Sequence, residues 1–166
     1  MSKVPSVGEE APGFDLPAAG GGEVVLTSYR GKHNVVLLFY PGAFTPVCTK
    51  EMCEFRDGFR EMSALHAEVI GISVDEIETL ERFQKTHNLP MRLLSDYSKS
   101  VSRRYGALSI LGSSKRATFV IDRNGIVRYA RVQLPFFRPS PQEVADVLLK
   151  LRKDADADAE EKGARG

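Results

Sequence analysis

The chain has two cysteines, and both fall in one short stretch: Phe39-Tyr40-Pro41-Gly42-Ala43-Phe44-Thr45-Pro46-Val47-Cys48-Thr49-Lys50-Glu51-Met52-Cys53. An ionised thiol is the strongest nucleophile among ordinary side chains at neutral pH. An apolar run precedes the stretch and a helical pattern begins within it, so Cys48 falls at or near a helix start. Unpaired backbone N–H groups and the positive end of the helix dipole favour a thiolate there. Thr45 places a hydroxyl three residues before Cys48, able to donate to a thiolate or to a polar substrate oxygen. Pro41 and Pro46 fix φ and stiffen the loop. The plain alternative is a pair of inert free cysteines. The helix start, the threonine and the loop argue against it for Cys48 and leave it open for Cys53.

Helical phase separates the two thiols. At about 100° per residue, Cys48 shares a stripe with Met52, Phe55, Phe59 and Met62, while Cys53 falls with Arg60 and Ala64 towards solvent. Cα atoms five residues apart in an intact helix are about 8–9 Å apart, and a disulfide needs less than about 7 Å. A Cys48–Cys53 bridge therefore requires the first turns to unwind. The spacing is not Cys-x-x-Cys and no histidine pair lies close, which argues against a zinc site and against a thioredoxin-type exchanger.

The elements that must position these residues alternate. Val35–Tyr40, Val69–Val74 and Ala117–Ile121 are continuous apolar runs, the pattern of strands buried on both faces, and Val24–Thr27 reads as a short strand. Asp122-Arg123-Asn124-Gly125 is a turn signal, and strand composition resumes at Ile126–Val132, predicting an antiparallel hairpin. Cys48–Leu65 reads as one helix. Asp75 with Glu78 resembles a capping box, opening a helix that ends near Asn88-Leu89-Pro90. Ser98–Tyr105 is a shorter helix stopped by Gly106. Ser140-Pro141-Gln142-Glu143 opens a last helix bearing Val144, Val147, Leu148 and Leu151. The fold class is α/β, with a central mixed sheet flanked by helices.

The 166 residues, 42% hydrophobic and 27% charged, suit one domain with a sizeable core. We expect that domain over residues 1–153 and a charged, disordered tail over 154–166, where Asp-Ala repeats carry no large apolar side chain. A net charge of +1 gives no electrostatic footprint for nucleic acid. No apolar run approaches the roughly 20 residues of a membrane span, and the opening residues lack a signal pattern. The expected setting is cytoplasmic, with reduced thiols. Nothing in the composition calls for a metal or an organic cofactor.

Pro41, Thr45 and Cys48 spell Pro-x-x-x-Thr-x-x-Cys after a buried strand, and this resembles the active-site motif of the peroxiredoxins, thiol peroxidases on a thioredoxin-like fold. The resemblance runs from about Val7 to Leu151. Gly8-Glu9-Glu10-Ala11-Pro12-Gly13-Phe14 is similar to the family's opening segment. Leu94-Ser95-Asp96 is similar to a strand end, and Arg116–Asp122 to the strand that begins with the active-site arginine.

The resemblance implies a role for each matching residue. Cys48 is the thiolate that attacks the peroxide O–O bond and becomes a sulfenic acid. Thr45 hydrogen-bonds the substrate oxygen. Arg116 stabilises the thiolate and the transition state, Pro41 shields the sulfur, and Glu51 holds the arginine. Without the resemblance, Arg116 reads equally as a solvated charge beside Lys115, Thr45 as a helix cap and Glu51 as a first-turn surface charge.

A second cysteine five residues after the first resembles the Q-type, or bacterioferritin-comigratory, branch. There it resolves the sulfenic acid as an intramolecular disulfide that a thioredoxin-like reductant recycles. Val47 directly before Cys48 departs from that branch, and the Ala43-Phe44-Thr45 stretch and the Phe-rich loop after the hairpin resemble instead the E-type alkyl hydroperoxide reductase branch, which often uses an external, low-molecular-weight thiol. Both groups imply hydrogen peroxide and organic hydroperoxides as substrates, and a monomer or homodimer. A redox-sensing interaction protein is the alternative from another class. His33 and His66 read as surface or boundary residues and His87 as a helix-end partner for the dipole. Arg128, Tyr129 and Arg131 read as a solvated strand face. Leu134-Pro135-Phe136-Phe137 is an apolar loop suited to packing or to a dimer contact.

Overall fold

The structure is a computed structural model that describes residues 3–133 and 137–165. Its centre is β3 of a five-stranded mixed sheet. The strands are β3 (Asn34–Phe39), β4 (Ala67–Ser73), β5 (Arg92–Ser95), β6 (Arg116–Ile121) and β7 (Val127–Gln133), in the spatial order β5-β4-β3-β6-β7. A separate antiparallel pair, β1 (Asp15–Pro17) and β2 (Glu23–Val25), precedes them. β3 pairs parallel with β4 and antiparallel with β6. The hairpin expected from Asp122–Gly125 joins β6 to β7, and Asp122 Oδ1 accepts the N–H groups of Asn124 and Ile126 at 2.9 and 3.0 Å.

Every residue of β3 is buried because the sheet is covered on both faces. The two-residue period divides its side chains. Val35, Leu37 and Phe39 pack with Leu16, Leu26, Val101 and Tyr105 on one side. Val36, Leu38 and Tyr40 pack with the helical side. That second face is lined by α1 (Pro46–Asp57), α2 (Phe59–Ala64), α3 (Ile77–His87) and α5 (Pro141–Arg165), while α4 (Ser100–Arg104) supplies Val101 to the first. Each fully buried Leu or Phe contributes about 1.5–3 kcal/mol by leaving water. Gly71 lets this layer close: a Cβ there stands 3.0 Å from Leu93, 3.2 Å from the Tyr40 ring and 3.6 Å from Met52.

Four expectations need correction. Cys48–Leu65 is not one helix. Gly58 ends α1 and begins α2 with φ −92° and ψ 2°, and glycine is a poor helix former. Its missing side chain also leaves room for Pro141, whose Cβ lies 3.6 Å from a Cβ built at Gly58. Asp75 does not cap α3, whose N-cap is Glu76. Its carboxylate is used elsewhere. The strand expected at Val24–Thr27 ends at Val25 and becomes a 3-10 turn over Leu26–Tyr29. The tail expected to be disordered is helical through Arg165. Residues 152–163 are exposed, so those turns rest on backbone hydrogen bonds and the helix preference of Ala, Glu and Lys rather than on packing.

His33 is half-buried and His66 exposed. Arg128 and Arg131 are paired with Asp122 and Glu143 on the outer strand face. Of the apolar loop, Leu134, Pro135 and Phe136 lie outside the described residues, and Phe137 is exposed.

Candidate active site

The sheet register places the site. Phe39 pairs with Ala117, so Arg116, one residue earlier on an antiparallel strand, stands beside the point where β3 ends and the chain turns towards α1. Thr45 is the N-cap of α1 and Pro46 its first residue, which makes Cys48 the third. Pro46 has no N–H, and Thr49 N–H donates to the Thr45 carbonyl at 2.9 Å. Val47 and Cys48 therefore carry the first-turn N–H groups without an intrahelical acceptor.

Cys48, Glu51 and Arg116 meet in the interior. Arg116 Nη2 donates to Cys48 Sγ at 3.2 Å, and Arg116 Nη1 donates to Glu51 Oε1. Cys48 and Glu51 have no exposed surface and Arg116 is 3% exposed. This removes the readings of Arg116 as a solvated charge and of Glu51 as a surface charge. Burial pushes the Glu51 carboxyl up to about 7 against the opposing pull of Arg116. The anions beside Arg116 raise its own ionisation further against the cost of burial. Arg116 thus puts a cation within hydrogen-bonding distance of the buried sulfur, at the N-terminus of α1.

Thr45 is exposed and its hydroxyl donates to the Gly42 carbonyl at 2.9 Å, with no bond back to the helix. It is a cap by position only, and its oxygen keeps lone pairs free to accept. Pro41 is half-buried at the start of the loop.

Sequence reasoning missed what fastens this loop. Asp75 Oδ2 accepts Ala43 N–H at 2.8 Å and the Ser73 hydroxyl at 2.8 Å, and the Asp75 carbonyl accepts Ser95 Oγ at 2.6 Å. The signal was present as small hydroxyl residues at the ends of two neighbouring strands beside a carboxylate. Phe44 is the second fastener. It has φ +64°, a left-handed conformation uncommon for a bulky residue. Its ring lies edge-on to Phe83, with centroids 5.1 Å apart, and reaches His87 at 6.2 Å. His87 is thus part of an aromatic cluster, and its carbonyl accepts Arg56 Nη1 at 2.8 Å.

Cys53 is half-buried on the intact α1, and both thiols are free. The next residue, Glu54, takes two hydrogen bonds from Arg138 at 3.0 and 2.8 Å. Arg138 and Arg56 therefore clamp the turns around Cys53, and the two cysteines are not brought together.

The profile of the AhpC/TSA family matches residues 7–130. The chain is 40% identical over 126 residues to the chloroplastic peroxiredoxin Q of Oryza sativa subsp. japonica, an alignment covering 75% of this chain and 58% of the rice protein. It is 41% identical over 147 residues to the chloroplastic peroxiredoxin Q of Sedum lineare, covering 87% of this chain and 76% of that one. Among solved structures, reduced 2-Cys peroxiredoxin of Plasmodium vivax superposes with a TM-score of 0.87 at 34% identity, covering 92% of this chain and 85% of that one. Peroxidoxin BcpB of Mycobacterium tuberculosis superposes with a TM-score of 0.78 at 34% identity, covering 90% and 97%.

Proposed function

The chain belongs to the AhpC/TSA family, and from that premise we propose that it is a thiol-dependent peroxidase whose nucleophile is Cys48. The observation that carries this reading is the 3.2 Å hydrogen bond from Arg116 to the buried Cys48 sulfur. Its substrates are hydrogen peroxide and organic hydroperoxides, small neutral molecules that need an anionic nucleophile and two positioned oxygens.

In the first step the thiolate sulfur bonds to one peroxide oxygen and the O–O bond breaks. The electron pair leaves on the other oxygen, which takes a proton and departs as water or alcohol. Cys48 becomes a sulfenic acid. Arg116 is placed to stabilise charge on sulfur and on the oxygens in the transition state. Thr45 Oγ accepts the hydrogen bond of the peroxide O–H, and Pro41 and the loop it begins exclude water from the sulfur.

In the second step the Cys53 thiolate attacks the sulfenic sulfur, a disulfide forms and hydroxide leaves as water. Since intact α1 holds the thiols too far apart, its first turns unwind. A thioredoxin-like dithiol then takes the oxidation, two electrons at a time. The placement of Cys53 on the same helix supports this over resolution by an external thiol. A cytoplasmic setting belongs to the same proposal, since the cycle needs both thiols returned to the reduced form and a reducing compartment supplies that. The test is peroxide consumption with excess reductant. Cys48→Ser abolishes turnover if the reading is right, and substantial remaining activity removes Cys48 as the nucleophile.

A further inference from the structure

Arg116 serves two acidic groups, and both come from α1. Cys48 and Glu51 are three residues apart, so they project from one face of the helix. Arg116 reaches the sulfur with Nη2 and Glu51 Oε1 with Nη1. Glu51 Oε2 is buried with no hydrogen-bond partner among the described residues.

Arg138 is the other cation facing Glu51, but its pull on the carboxyl is weaker than that of Arg116 and is outweighed by the neighbouring Glu54. Glu54, on the same helix, takes both bonds of Arg138 from the segment before α5. Tyr40, at the end of β3, faces both Cys48 and Glu51, and burial pushes its ionisation up, so it stays neutral. If Cys48 and Glu51 were both ionised, two buried anions would share the single Arg116 cation. An uncompensated buried charge is expensive, and a buried group escapes that cost by taking a proton.

We infer that Cys48 and Glu51 hold one proton between them, and that Glu51 keeps the proton that Cys48 gives up when it becomes the attacking thiolate. The inference rests on the reading of Cys48 as the peroxidase nucleophile. Burial places Glu51 in the right range, near 7. Two groups coupled in this way titrate as a pair, in two macroscopic steps.

The chemistry balances. The S–H proton moves to the Glu51 carboxylate, giving thiolate and carboxylic acid. Sulfur bonds to one peroxide oxygen, which keeps its hydrogen as the sulfenic acid. The O–O electron pair leaves on the other oxygen, which gains a proton while Glu51 loses one. Thiol and hydroperoxide become sulfenic acid and alcohol with no proton drawn from solution. Glu51 acts here through Cys48 and Arg116 and is a positioning residue for charge.

The experiment follows thiolate absorbance against pH in the reduced full chain, with Cys53→Ser to leave one thiol and Cys48→Ser as the blank. With Glu51 present the absorbance rises in two steps separated by a plateau. In Glu51→Gln, which keeps an acceptor for Arg116, it rises in one. A purely structural role shifts the step without changing the number of steps. Infrared difference spectra supply a reading that needs no folded Glu51 variant. Through the pH range in which the thiolate appears, the carbonyl stretch of a protonated carboxylic acid persists, and in Cys48→Ser it is lost at lower pH. A thiolate formed without that stretch overturns the inference. Neither measurement uses peroxide, so its failure is separate from failure of the peroxidase reading, which shows as turnover by Cys48→Ser.

Discussion

Arg116 Nη2 stands 3.2 Å from Cys48 Sγ while the same guanidinium donates through Nη1 to Glu51. One planar fork spans a nucleophile and its charge partner. A lysine keeps the charge but has no fork. Arg116→Lys should slow oxidation of Cys48 by about 10²–10³-fold, the effect of losing a transition-state donor. Stopped-flow mixing with peroxide measures it. An unchanged rate would mean that charge alone suffices.

Glu51 sets a stability signature. Its folded value is raised from 4.5 to about 7 by burial, so between those values the folded protein binds more protons than the unfolded one. Stability contributed at Glu51 is therefore present at low pH and falls as pH rises through that window, by about 1.4 kcal/mol for each tenfold difference in proton affinity between the two states. Glu51→Gln has no such group. Urea unfolding at the two ends of the window should show the variant gaining on the parent as pH rises. A constant difference contradicts a raised Glu51.

Asp75 fastens the loop before Cys48. Asp75→Ala leaves the Ala43 N–H without its acceptor. The expected cost is about 1–3 kcal/mol in stability, with slower peroxide oxidation because Thr45 and Cys48 lose their fixed relation. Denaturant unfolding and stopped-flow rates read the two effects separately. If Asp75→Ala changes neither, the loop is held by Phe44 and Thr45 alone.

Much of this site is legible in the sequence because its signals are local. The helix start, Thr45, Cys48 and the buried strand before them lie within one stretch, and the Asn-Gly turn fixes the β6–β7 hairpin. The resemblance added Arg116 and Glu51, which spacing alone leaves as charges of no special kind. What stayed hidden depends on tertiary contact. Asp75 looks like a helix cap until β4 places it beside the loop. Arg138 lies 84 residues from Glu54, and no periodicity links them. Gly58 could be read as a tolerated glycine, and only the approach of Pro141 shows why the helix breaks there.

The clamp on α1 should govern resolution. Arg138 and Glu54 are each about one-third exposed, so their pair contributes at most about 1 kcal/mol after solvent screening. Arg138→Met removes it from the turn next to Cys53. After oxidation by peroxide, the Cys48–Cys53 disulfide should form up to about fivefold faster. Rapid quenching with a thiol-blocking reagent follows it. A slower disulfide means that the pair guides Cys53 to its target rather than restraining it.

The two-cysteine cycle is tested most directly by intact mass. The reduced chain receives one equivalent of hydrogen peroxide, and remaining thiols are then blocked without reductant. The expected product has lost two hydrogens and takes up no alkylating reagent, the mass of a Cys48–Cys53 disulfide formed as α1 unwinds. One added oxygen with Cys53 alkylated contradicts that cycle and assigns resolution to a thiol from outside the chain.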